Sequence, residues 1–195
     1  SRTHFFGYKG DELTDYIQNF GVSKELINEQ WTRTTAFVKD TVIYEYVLGD
    51  VLRHTVTYRG GAVNQKDSSG LVKSQTYYKG AVRGEEFTDY TWSHSSFADN
   101  GIASTTVYFY GPSHLRASTS VLGSTPMSAS AVYNTTTANA ASVASAAGYG
   151  DGLTTYEIRS KTHYTGYKGD ELIDFTQSIM LDSTGNPRVK DTLSY

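Results

Sequence analysis

The phrase Gly7-Tyr8-Lys9-Gly10-Asp11-Glu12-Leu13-Thr14-Asp15 returns as Gly166-Tyr167-Lys168-Gly169-Asp170-Glu171-Leu172-Ile173-Asp174, and this recurrence limits the fold more than any other feature. Over residues 3–18 and 162–177, 11 of 16 positions are identical. A looser copy, Lys79-Gly80-Ala81-Val82-Arg83-Gly84-Glu85-Glu86-Phe87-Thr88-Asp89-Tyr90, lies between them with one extra residue between its glycines. A catalytic site is built once, from unlike pieces. A phrase said three times is an architectural unit that stacks or pairs with its own kind.

Each copy follows a Thr-aromatic run that closes on glycine: Arg2–Gly7, Gln75–Gly80 and Lys161–Gly166. That is a strand entering a turn with positive φ. After the acidic phrase, Leu13, Tyr16, Ile17 and Phe20 fall at helical spacing, whereas the middle copy, Glu85–His94, is rich in Thr and aromatics and reads as a strand. One conformation shared by all copies favours strand. Residues 21–33 are expected to hold a short helix with Ser23 as its N-cap. Residues 34–48 and 51–58 read as strands around Gly49-Asp50, and Ala98-Asp99-Asn100-Gly101 reads as a hairpin turn. A second phrase, Val42–Tyr46 then Leu52–Thr55, parallels Val107–Gly111 then Leu115–Ser118.

Residues 117–150 interrupt the pattern and hold no charged residue. Their Ala, Ser and Thr content suits a helix over 138–147, a linker, or a small-residue face against a neighbour. The expected class is therefore all-β and mainly antiparallel, a repeat architecture built as a sheet stack or solenoid, with a small insertion of helical or linker character. Three regions are expected: β-repeats over 1–111, an uncharged insertion over 112–153, and a further β-repeat over 154–195. The last repeat stops within its unit, so the remainder is expected either further along a longer chain or from another copy.

The 195 residues carry a net charge of −3, 16 Tyr, 18 Gly and no Cys. No basic field asks for nucleic acid, no apolar run is long enough for a membrane helix, and no disulfide or Cys-ligated metal can form. Abundant Tyr, Thr and Val suit a pleated, partly exposed surface.

The phrases resemble the tandem Tyr/Gly-rich repeats of very large bacterial surface or secreted proteins, and are similar in spirit to the tyrosine–aspartate repeats of Rhs-type shells. The resemblance covers roughly 1–111 and 151–195. It implies extended β-architecture and a structural or encapsulating role, with no catalytic residue carried over; an extracellular or cell-surface location is the expectation from composition.

No cofactor, metal or catalytic constellation is expected. The acidic triplets Asp11/Glu12/Asp15, Glu85/Glu86/Asp89 and Asp170/Glu171/Asp174 read as solvated carboxylates balanced by Lys9, Arg83 and Lys168, with a hard cation as the alternative. His4, His54, His94, His114 and His163 show no metal-ligand spacing, and no nucleophile elbow or phosphate loop is present. Tyr77, Tyr78, Trp92, Tyr108, Tyr110 and Tyr164 are the interface or ligand candidates, as aromatic rows on strands. Asn134-Thr135-Thr136 matches a glycosylation sequon. The expected function is self-assembly, with copies of this chain as partner in a homo-oligomer or filament. The alternative is an adhesin or carbohydrate-binding module that uses the aromatic rows on a glycan.

Overall fold

The computed structural model describes residues 1–27, 30–97, 100–117, 121, 123–146 and 157–195. The chain forms β1 (Arg2–Phe6), β2 (Leu13–Ile27), β3 (Gln30–Val47), β4 (Val51–Arg59), β5 (Val72–Lys79), β6 (Phe87–His94), β7 (Ile102–Tyr110), β8 (Leu115–Arg116), β9 (Met127–Asn134), α1 (Ala140–Ala146), β10 (Ile158–Thr165), β11 (Leu172–Leu181) and β12 (Pro187–Ser194). The strands form one open sheet in the order β1-β2-β3-β4-β5-β6-β7-β9-β10-β11-β12, with β8 pairing β7 off that path. Every ladder is antiparallel. Among the described residues the fold is thus all-β and antiparallel with one small helix in the Ala/Ser/Thr-rich insertion, and its sheet is a single layer.

The repeated phrase is a hairpin, and the hairpins share a register. His4 faces Tyr16, Tyr77 faces Tyr90 and His163 faces Phe175, and in each the register shifts at the next residue. The strand on the far side also repeats, since Tyr16 pairs Ile43 and Tyr90 pairs Val107. The period is therefore four strands: β1–β4, then β5, β6, β7 and β9, then β10–β12. Strand prevails over helix after every acidic phrase because β2, β6 and β11 are each paired by a strand on both sides, although on β11 Leu172 and Ile173 stay exposed. Leu13 and Tyr16 are buried on β2, and Phe87 on β6.

Each turn closes through a backbone bond, Asp11 N–H to Tyr8 carbonyl, Glu85 to Val82 and Asp170 to Tyr167. The glycine entering the turn has no substitute. Gly166 has φ of +113°, and a Cβ there would lie 2.6 Å from the Asp170 carbonyl oxygen.

Residues 21–33 correct the expectation of a helix. β2 and β3 pair continuously outward to Ile27 and Gln30, making a two-stranded ribbon beyond β1 and β4. Ser23 Oγ donates to the Thr35 carbonyl across this ribbon instead of capping a helix. A side chain bonded across the ladder, and a backbone satisfied by it, leave no role for the local capping signal. The paired phrases also diverge. Leu52 lies in β4 on the main path, whereas Leu115 lies in the short β8, and β9 takes the fourth place in its unit. Asn100, with φ of +44°, stands in the turn between β6 and β7; Ala98-Asp99, Ser118 and residues 147–153 lie outside the described residues.

One face of the sheet is covered in two places. Over β7 and β9, Val107, Phe109, Ala129, Ala131 and Tyr133 form a core with Val143 of α1 and Ile158. The small side chains of Ala129 and Ala131 let a helix whose buried residues are Ala140, Val143 and Ala144 come close. Over β2 and β3, the segment between β4 and β5 folds back. Fully buried Gln18 donates to the Ala62 and Gln65 carbonyls at 2.8 and 3.2 Å and accepts from Asn64 N–H at 2.8 Å. Thr41 and its repeat equivalent Thr105 each bond the start of the covering segment, at Gly60 carbonyl and Thr135 Oγ1.

Candidate assembly site

The glutamate of the repeated phrase binds backbone on both of its oxygens. Glu86 Oε2 accepts from Gly84 N–H at 2.9 Å, and Oε1 accepts from Leu52 N–H on the neighbouring strand β4 at 2.9 Å. Glu171 does the same, with Gly169 N–H at 2.8 Å and Met127 N–H of β9 at 3.0 Å. Each carboxylate ties its own turn to the last strand of the preceding unit. Burial alone would raise the Glu171 carboxyl; the N–H bonds from Met127 and within the turn, with Lys168 nearby, carry it below the ordinary range instead. In the first unit Glu12 Oε2 accepts from Gly10 N–H at 3.0 Å, and Oε1 has no bonded partner among the described residues. These carboxylates were expected to be solvated. The signal for their role was present: this position is Glu in all three copies, whereas the residue before it is Asp or Glu.

The basic residue of the turn also reaches toward the preceding unit. Arg83 contacts the Asp11 carboxylate, reaches the Glu12 carbonyl at 3.3 Å, and stands 4.0 Å from Asp50. Lys168 lies over the Phe87 ring, 4.4 Å from its centre, and contacts the Gly123 carbonyl. Lys9, the equivalent in the first unit, is exposed.

The six aromatic candidates do not form one surface. Tyr77 and Trp92 share a face, where Tyr77 is stacked between His54 and Tyr90 at 4.3 and 4.6 Å and meets the Trp92 edge at 5.0 Å. Burial and then the neighbouring Tyr77 push the Tyr90 phenol up to about 12. Tyr78, Tyr108 and Tyr164 belong to the opposite face with Tyr44, and their phenols are near enough to influence one another. There Tyr108 shares a hydrogen bond with Thr91, and Tyr164 with Ser130. Tyr110 is buried, donates to the Thr88 carbonyl at 2.7 Å, and its phenol is pushed up by that burial. Tyr46 makes the same bond to the Thr14 carbonyl, so this tyrosine is a repeat anchor and not a surface platform.

Beyond His163, the row continues to His114, whose ring meets it edge-on at 6.1 Å while Nδ1 bonds Ser128 Oγ at 2.8 Å. Burial, joined by Lys161, lowers both imidazoles below the ordinary value of 6.5.

The sheet ends on β1 and β12, and the two edges differ. β12 carries Pro187, Arg188, Lys190 and Asp191 along a fully exposed strand, the composition that guards an edge against further pairing. β1 has no charge after Arg2 and exposes Phe5 and Phe6 by 62% and 48%. His4 is stacked on Tyr16 at 4.2 Å on its inner side, and its Nε2 is buried without a hydrogen bond.

No protein-family model and no curated protein matches the chain. Among solved structures it is similar to a protein of unknown function from Bacteroides fragilis, at 11% identity, with 79% of this chain and 91% of that one covered. The TM-score is 0.32, a likeness from which nothing about function follows.

Proposed function

We propose that this chain is a structural, self-assembling β-repeat protein, a subunit or segment of an extracellular filament, sheath or giant surface protein that joins copies of its repeat edge to edge. One observation carries the reading: the repeat builds a single open sheet of four-strand period, and both edges of that sheet have unpaired backbone. Inside the chain, unit joins unit by backbone ladders and by a glutamate that holds the neighbouring strand. The same chemistry is available at an edge. The resemblance to tandem repeats of large bacterial surface proteins agrees with this role.

The glycan reading draws less support. A sugar platform needs open ring faces, and Tyr77 uses both of its faces on His54 and Tyr90. Light scattering with negative-stain microscopy of the 195-residue chain tests the proposal. Concentration-dependent fibres or tubes are expected. A clean monomer at high concentration would overturn self-assembly, and saturable binding on a glycan array would then favour the adhesin.

A further inference from the structure

We infer that the β1 edge is a binding site for one extended strand of the fourth repeat position, antiparallel to β1 and donated by another molecule that carries this repeat. The inference deepens the assembly reading and rests on it. Within the chain, two hairpins of this kind have such a strand beside them, and both show what it does. β4 pairs β5 with His54 opposite Tyr77, and two residues before His54 the Leu52 N–H donates to Glu86. β9 pairs β10 with Ala129 opposite His163, and again two residues before that partner the Met127 N–H donates to Glu171. The third hairpin, β1–β2, presents the same carboxylate in the same turn with Oε1 unoccupied among the described residues. The missing donor is a backbone N–H two residues before the residue that would face His4.

The side chains make the same request. Tyr77 is stacked on both sides, by Tyr90 within its hairpin and by His54 of β4. His163 has Phe175 within its hairpin and His114 beyond it. His4 has Tyr16 within its hairpin, and its other ring face is at the sheet edge. An incoming strand of β4 type sets an imidazole opposite His4, covers the outer flank of β1, and continues the alternation of strand direction. A carboxylate accepting a backbone N–H is among the stronger neutral-to-ion bonds, so Glu12 fixes the register as well as adding affinity.

The test uses the full 195-residue chain and a synthetic peptide with the sequence of residues 51–59. Saturable binding by fluorescence anisotropy is expected, with hydrogen-exchange protection gained first by β1 amides and by β12 amides only in excess peptide. Glu12→Gln keeps an acceptor for Gly10 N–H, so the turn stays closed, and it should weaken the peptide about tenfold. Glu157→Gln, which removes the same charge at an exposed position far from β1 in the sheet, should leave peptide affinity unchanged. Methylating the peptide nitrogen at its Leu position should cost the wild type a similar factor and cost the Glu12→Gln variant almost nothing. No saturable binding, protection at β12 alone, or equal affinity for wild type and Glu12→Gln overturns the inference. So does a β1-to-β1 dimer that the peptide cannot displace, because the occupant is then a second first strand. The two readings fail separately. A chain that forms fibres yet ignores the peptide sinks this inference only, and a monomeric chain that binds it leaves the site standing.

Discussion

At the scale of single residues, the repeated glutamate is worth more where both its oxygens are occupied. A hydrogen bond to an ionised group contributes about 1.5–3 kcal/mol, and a buried N–H left without its acceptor keeps its desolvation cost. Glu86→Ala removes two such bonds and should destabilise the chain by about 2–3 kcal/mol after solvent compensation. Glu12→Ala removes one and should cost about half as much. Urea unfolding of both variants checks the order, and equal losses would show that the bond to the neighbouring strand contributes nothing. The imidazoles make a separate prediction. His114 and His163 have lowered values in the fold, so the unfolded chain takes up protons that the folded chain refuses. Their contribution is therefore complete above about pH 6.5 and is lost as pH falls through the lower folded values. The melting temperature should drop between pH 7.5 and 5, and His163→Tyr, which installs the residue found at 77, should flatten that drop. An unchanged slope in the variant would remove His163 as a cause.

At the scale of elements, the hairpin is the unit, and its sequence signs were legible because they are local. Strand, positive-φ glycine and acidic turn follow one another within a dozen residues, and the shared conformation of three copies resolved a helical spacing in favour of strand. The contrary signs were equally local and misled where tertiary pairing decided the outcome. Ser23 looks like a cap, yet β2 and β3 run on as a ribbon. The aromatic candidates were found as strand residues, but which face each one meets depends on the register shift after Tyr77 and on its partners, neither of which the phrase itself encodes. Tyr110, a platform candidate by sequence, is an anchor, because its hydroxyl reaches the backbone of a strand 22 residues away. The turn glycine supplies the element-scale test. Gly166→Ala must either shift the Asp170 carbonyl or leave positive φ, so it should cost at least 1 kcal/mol, on the order expected for such positions. Gly169→Ala has open space around its Cβ and suffers only the φ strain, so it should cost less. The reverse order, read from unfolding midpoints, would mean that the turn relaxes freely.

At the scale of the whole molecule, strand direction decides how copies can meet. Eleven strands lie on the antiparallel path, so β1 and β12 run the same way. Placing β12 of one copy directly against β1 of the next, with faces kept in line, makes a parallel joint of a kind absent among the described residues. One strand of the fourth position between them restores both the alternation and the four-strand period. The peptide of residues 51–59 has two edges, so it should act as that bridge. Assembly monitored by light scattering should accelerate as peptide is added, peak near one peptide per chain, and decline in excess, when separate peptides cover β1 and β12 of every molecule. In a bridged array Lys9 of one copy stands to Asp170 of the copy before it as Arg83 stands to Asp11 within the chain. Exposed pairs of this kind are worth about 0–1 kcal/mol, so Lys9→Glu or Asp170→Lys alone should slow bridged growth only a few-fold, and the double exchange should recover it. A scattering signal that rises without a maximum would mean that the peptide adds to its own aggregates and not between sheet edges. A maximum that persists in Glu12→Gln at unchanged stoichiometry and rate would place the joint away from β1.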